Sequence, residues 1–294
     1  MGSMRVRLTP VDGEPADSGI VALLGELEVP VEFSAELVAA AEAAAARAPG
    51  PEHVDDRSVP LVTIDPPTSR DLDQAFHAER RGDGYRLHYA IADVGWFVRP
   101  GDLLDQEARR RGVTIYAADR RAPLYPPALS EAAASLLPEG DRPALMWRID
   151  LDASGEPTAY DVRRALVRSR AKLSYAEVQS MLDGGTASPP LQLLKEIGLL
   201  REDHERARGG VHLPTPEQEA VATPEGWCLE LRTSLPVENW NAQISLLTGL
   251  CAAQLMLDAG VGLLRTLPPP DDHAVASLRR SAKALDVAWP TATP

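Results

Sequence analysis

The spacing of apolar and polar positions changes along the chain, and each change predicts an element. Only Ile20 to Leu24 is apolar near the start. Ser34 is placed to cap a helix: Glu36 suits the first turn, an Ala-rich run continues to Ala48, and Pro49-Gly50-Pro51 ends it. From Val59 the pattern turns strand-like. Val59 to Ile64 reads as a buried strand. Residues 74–80 and Tyr85 to Val98 read as a hairpin turned at Gly82-Asp83-Gly84. Asp102 to Arg111 reads as a short helix, and Val113 to Tyr116, Ala144 to Leu151 and Ala159 to about Lys172 as strands. Ser174 with Glu177 forms a capping box for a helix through Leu182. Residues 190–209 read as helix and Trp227 to Arg232 as strand. Pro236 to Ala259 reads as a long apolar helix in the core. After Pro268 to Pro270 comes an amphipathic helix ending near Leu285. Strands come first and helices later, which predicts an α+β fold: a mostly antiparallel sheet with packed helices.

Composition adds limits. With 294 residues, 44% hydrophobic and 25% charged, the chain can bury a sizeable core. A net charge of −13 argues against indiscriminate nucleic-acid binding by the whole surface and leaves room for a local basic channel. Basic residues cluster at Arg109 to Arg111, at Arg120 and Arg121, and along Arg163, Arg164, Arg168, Arg170 and Lys172. Each cluster reads first as a solvated helix or strand face. Cys228 and Cys251 are the only cysteines, too few for a disulfide framework, so a reducing cytoplasm is expected. No apolar run approaches the roughly 18 residues that span a bilayer, so no membrane partner is expected.

Candidate chemistry lies at residues 63–76, Thr-Ile-Asp-Pro-Pro-Thr-Ser-Arg-Asp-Leu-Asp-Gln-Ala-Phe. Asp65, Asp71 and Asp73 fall within nine positions. Carboxylates held that close raise one another's pKa unless positive charge lies between them. A hard divalent cation with oxygen ligands is the usual remedy, and Mg²⁺ combines one or two carboxylates with substrate phosphates. The tripeptide Asp71-Leu72-Asp73 alone is a weak sign: most such pairs are solvated, and glycosyltransferases also hold a metal with one. Asp65 strengthens it, because a carboxylate ending a buried strand needs a partner.

The segment resembles the signature of the RNB catalytic domain of the ribonuclease II and ribonuclease R family, T-I-D-x-x-x-x-x-D-[LIMF]-D-D-A. Further motifs follow in order. Ala90-Ile91-Ala92-Asp93-Val94 resembles H-I-A-D-V, and Pro100-Gly101 with Leu104-Asp105 and Glu107-Ala108 resembles P-G-x-x-L-D-x-E-A. Arg111-Gly112 through Tyr116, Asp119-Arg120, Pro123, Pro126, Leu129-Ser130 and Ser135-Leu136 fit the next block, and Asp141 to Leu145 and Ala171 to Tyr175 fit later ones. The resemblance covers roughly residues 54–260. It implies processive, Mg²⁺-dependent hydrolysis of single-stranded RNA from the 3′ end to nucleoside 5′-monophosphates. By the same resemblance Asp65, Asp71, Asp73 and Gln74 would hold the metal. Asp73 would be most directly catalytic, with Asp71 and Asp65 beside it. Tyr116, Tyr175 and Arg120 would contact RNA. An arm, residues 1–53, would precede the N-terminal part of such a domain, residues 54–294. Two departures leave a second reading open, a domain that binds RNA or a protein without cutting. Gln74 stands where the family has a fourth aspartate, and no S-P-[IL]-R-R-Y-x-D-L motif occurs, Arg279-Arg280 lying in another context. Ala242-Gln243 stands where the family's long helix has an acidic pair.

Overall fold

Two distant strands of one sheet must lie close together at one point, because only residues 168–170 join an edge strand to the strand next to the opposite edge. The computed structural model describes residues 4–7, 16–117, 120–138, 140–211, 215–223, 226–264, 266 and 268–290. Asp119, part of the motif series above, lies outside them. In chain order, β1 (Met4–Arg7), α1 (Ala16–Glu26) and α2 (Ala35–Ala45) come first, then β2 (Val54–Asp55) and β3 (Val62–Asp65). The hairpin β4 (Gln74–Arg81) and β5 (Gly84–Ala92) is followed by α3 (Val94–Phe97), α4 (Leu103–Arg111), β6 (Ile115–Tyr116) and β7 (Arg121–Ala122). A π-helical turn, Leu129–Ala133, leads to β8 (Arg142–Leu151), β9 (Pro157–Val167), β10 (Ala171–Ser174) and α5 (Tyr175–Asp183). The chain continues through α6 (Pro189–Ala207), β11 (Glu217–Thr223), β12 (Gly226–Arg232), α7 (Pro236–Ala259) and α8 (Asp272–Ala284). It divides into two compact units, residues 1–251 and 252–294.

The main sheet runs β10-β3-β4-β5-β8-β9-β2. Its four inner pairings are antiparallel, and only the outer pairs β10–β3 and β2–β9 are parallel. Four Cα steps separate Val167 from Ala171 and span at most about 14 Å, so the sheet curls until the end of β9 approaches the start of β10. Small residues make room for the curl. Ala75, Ala90, Ala92, Ala144 and Ala165 line the inner face with Leu61, Leu72, Leu136, Met146 and Val167. On the other face Phe76, Leu87 and Tyr89 are buried. α6 packs on β4. Gly198 of α6 lies so near Trp240 of α7 that a Cβ there would meet Trp240 Cβ at 2.4 Å.

The antiparallel α+β expectation holds, with local corrections. Ser34 Oγ accepts from Leu37 N at 3.3 Å, but the helix ends at Ala45. The strand from Tyr85 stops at Ala92, because the Asp93 side chain accepts from Trp96 N at 3.1 Å and opens a helical turn where apolar residues suggested more strand. The strand expected from Ala159 to Lys172 is two strands, broken where Arg170 N donates to Leu61 O at 2.7 Å. The three-stranded sheet β1-β12-β11 contains two strands, β1 and β11, that sequence reading missed. α7 buries one face only, through Val237, Trp240, Ile244, Leu247 and Cys251. By length and composition alone it could cross a membrane, contrary to the expectation that no segment would. Arg111 is no solvated residue: it is buried, caps Phe33 at 3.8 Å from the ring centre, and donates to Pro30 O, Glu32 O and Pro123 O.

Leu72 is fully buried in the alanine-rich core. Leu72→Ala is expected to cost about 2–5 kcal/mol in urea unfolding, as buried leucine truncations do. An unchanged midpoint would show that the loop carrying it is not anchored there.

Candidate functional site

The three aspartates reach one place by two different routes. Asp65 ends β3, and the parallel β10–β3 register sets it opposite Ser174. Ser174 and Glu177 cap α5 reciprocally, as expected from the sequence, so Tyr175 starts its helix beside Asp65. Asp71 and Asp73 come from the loop between β3 and β4. Leu72 points into the core, so its two neighbours point the other way, by the alternation of extended chain. Hydrogen bonds fix this loop. Lys172 Nζ donates to Pro67 O at 2.7 Å and Ser69 O at 2.5 Å. Ser135 Oγ donates to Arg70 O at 2.6 Å and accepts from Leu72 N at 2.9 Å. Ala92 N donates to Asp73 O at 2.9 Å.

Asp65, Asp71, Asp73, Gln74, Tyr89, Tyr175 and Asn241 share one polar cavity of about 120 Å³. That is well below the roughly 300–1,000 Å³ of sites that enclose a drug-sized ligand, so it suits an ion and a phosphate oxygen rather than a whole nucleotide. A cavity of about 600 Å³ lies elsewhere, lined by α6 and α7 residues, where Glu202 and Glu205 are accompanied by Arg206. Burial, then the charge of Asp73, pushes the Asp65 carboxyl up to about 6, despite the opposing charge of Lys172. Asp73 keeps an open side to solvent, yet partial desolvation and then Asp71 raise its pKa as well. The charge of Lys172 does not offset burial at Asp65, and among the described residues no cation relieves Asp73.

The donor chemistry fits a hard cation: carboxylate and amide oxygens only. Among the described residues no three histidine, cysteine, aspartate or glutamate side chains converge tightly enough to hold a metal by themselves. A cation here would keep part of its water shell, as Mg²⁺ does. Gln74 lies at the cavity, but its Oε1 already accepts from the Tyr89 hydroxyl and from Ser245 Oγ, the latter at 2.9 Å. Tyr175 OH is held loosely by Asn241 Nδ2 at 3.5 Å. Tyr116 stands on β6 with 69% of its surface exposed; partial burial of its hydroxyl, then the charge of Asp71, raises its pKa against the opposing charge of Arg121. Arg120 accepts from Ala117 N at 2.8 Å through its carbonyl. It is the next residue, Arg121, whose guanidinium reaches Asp71, at 3.3 Å.

Sequence reading named Asp65, Asp71, Asp73, Gln74 and Tyr175, and the fold brings these together. It missed Arg121, Tyr89, Asn241 and Ser245. Asn241 lines the cavity and Ser245, four residues on, bonds its Gln74, whereas Ala242 and Gln243 line the larger cavity. Helical spacing could have found that pair once Gln74 was placed. The arginines of β9 and its end form no open basic face: Arg163 pairs with Asp56, Arg164 with Asp93 and Arg168 with Asp141.

Comparison with known proteins agrees with this architecture. The family model described as RNB domain matches residues 54–291. Ribonuclease R of Escherichia coli (strain K12) is 31% identical over 249 residues, which cover 81% of this chain and 31% of that protein. The chain thus spans about a third of that relative's length. The structure of Mycoplasma genitalium RNase R in complex with ribose-methylated single-stranded RNA superposes with a TM-score of 0.85 at 21% identity, covering 93% of this chain and 45% of that one. Yeast Ssd1, a pseudonuclease, shares the fold with a TM-score of 0.63 at 19% identity, covering 90% and 32%. The match over residues 54–291 and the ribonuclease R identity place the chain in the RNB domain family.

Proposed function

We propose that this chain carries the carboxylate half of a 3′→5′ exoribonuclease site, which hydrolyses single-stranded RNA to nucleoside 5′-monophosphates with a divalent cation such as Mg²⁺. The observation that carries the reading is the meeting of Asp65, Asp71, Asp73 and Tyr175 at one small cavity. The ribonuclease R relatives support the substrate class. Both cysteines are buried and unpaired, which supports a reducing, cytoplasmic setting.

Asp65, Asp71 and Asp73 would hold the cation, and Gln74 could join through Oε1 only by giving up a bond from Tyr89 or Ser245. When bound, such a cation supplies Lewis acidity and a water acidic enough to attack at neutral pH. In the hydrolysis a water oxygen bonds to the terminal phosphorus, the bond to the preceding 3′-oxygen breaks, and that oxygen takes up a proton. Burial and the charge of Asp65 raise the Tyr175 hydroxyl pKa, so it stays protonated and can donate to a phosphate or sugar oxygen. Tyr116 offers an exposed ring for stacking, worth about 1–3 kcal/mol per base without sequence preference.

A second reading, RNA binding without cleavage, has one specific observation in its favour. Gln74 brings no charge to the site, and its oxygen is already committed. Incubating the chain with 5′-labelled oligoadenylate and Mg²⁺ separates the two. Cleavage is expected to shorten the label stepwise, to stop with EDTA, and to fall at least a hundredfold in Asp73→Asn, a loss of about 3 kcal/mol in barrier lowering. Shortening that ignores EDTA, or full activity in Asp73→Asn, would overturn the mechanism. RNA retained with no mononucleotide released would select the second reading.

The raised Asp65 pKa has a stability consequence in metal-free protein. Its folded value, about 6, lies above the unfolded carboxylate value near 3.8. The folded state binds more protons between the two, so this contribution to stability is full below about pH 4 and is lost as pH rises through 6. In EDTA, Asp65→Asn is therefore expected to gain in Tm over the natural chain as pH goes from 5 to 7, and Mg²⁺ at pH 7 should narrow the gap. A gap that does not change with pH would show that the carboxyl is not strained.

A further inference from the structure

Arg121 reaches one of the cavity's acids without a part in the chemistry above. Arg121 lies directly across the β6–β7 pair from Tyr116. Its Nη1 is 3.3 Å from Asp71 Oδ2, while its Nη2 pairs closely with Glu131 Oε1 on the π-helical turn. Arg70 Nε reaches the other oxygen, Glu131 Oε2, at 3.4 Å. Glu131 is mostly buried and so holds Arg121 from behind. The contact to Asp71 is long for a charge-assisted bond, which is usually about 2.7–2.9 Å. Arg121 thus has one firm partner and one loose one, and about a third of its side chain is open to solvent. Tyr116 beside it is influenced by both Asp71 and Arg121. A planar guanidinium next to an exposed aromatic ring suits a nucleotide of any base: phosphate on one, base or sugar on the other.

We propose that Arg121 is a substrate-binding residue: on RNA entry its guanidinium passes from Asp71 to a backbone phosphate, Glu131 keeps it oriented, and Tyr116 stacks the adjoining nucleotide. The inference rests on the RNA reading of the same cavity and extends it. Exchange of partners leaves the Asp71 carboxylate free for a cation, so RNA and metal binding favour each other. It also supplies, from within this chain, positive charge beside Asp71.

The test is binding of 5′-labelled oligoadenylate to the full chain in EDTA, at several salt concentrations, with thermal melts of each variant. For single strands the slope of log affinity against log salt is about 0.7 per neutralised phosphate. Arg121→Gln is expected to bind about ten- to a hundredfold more weakly, with a slope shallower by about 0.7. Arg121→Lys keeps the charge but lacks the fork, so its slope is retained and its affinity falls about tenfold. Tyr116→Leu weakens binding with no change of slope. An unchanged slope in folded Arg121→Gln, or natural affinity in Arg121→Lys, would overturn the assignment. Failure of the natural chain to bind the oligonucleotide at all would sink the RNA reading itself, and this inference with it.

Discussion

Everything at the site depends on holding like charges together against their repulsion. Leu72 does most of that work. It is a fully buried side chain between two carboxylates, and its burial forces Asp71 and Asp73 to the opposite side of the loop. Ser135 and Lys172 then fix the loop backbone from two directions, one from the chain beyond the π-helical turn and one from β10. Asp65 arrives from β3 and completes the crowding. Core packing thus supplies the free energy that the acids oppose, and the pKa values of Asp65 and Asp73 are raised first by burial and then by the neighbouring aspartate.

The distribution of positive charge follows from the same constraint. The chain carries 30 lysines and arginines against 43 acids, and many of its arginines are spent on internal pairing. Arg57 binds Asp55 and Asp141, Arg163 binds Asp56, and Arg111 is buried under backbone carbonyls. These pairs tie strands and loops together and leave no broad basic surface on that side of the sheet. At the cavity, Lys172 is engaged with loop carbonyls and Arg121 bridges Asp71 and Glu131. A cation from solution, and the phosphates of a substrate, are the natural counterparts of the charge that remains.

Much of this was legible in the sequence. The capping box at Ser174, the Gly82–Gly84 turn and the aspartate spacing are local signals, each set within a few residues, and each survives in the fold. Other features depend on distant partners. The strand from Tyr85 was read too long because Val94, Trp96 and Phe97 are apolar for a different reason: they pack with α2 and α4, after Asp93 has capped a turn. The break near Arg168 was invisible because it serves the curl of the sheet, where Arg170 N meets Leu61 O. The contact of Arg121 with Asp71 has no local signal, because it depends on the pairing of β6 with β7. Asn241 and Ser245 are visible only once α7 lies against Tyr175 of α5 and Tyr89 of β5.

The central claim is that the crowded carboxylates form a divalent-cation site. Calorimetric titration of Mg²⁺ into the metal-free chain at pH 7 tests it without any requirement for cleavage. Saturable binding that disappears in the double variant Asp65→Asn, Asp73→Asn is the expected result. No binding by the natural chain, or binding unchanged by the double substitution, would contradict the account.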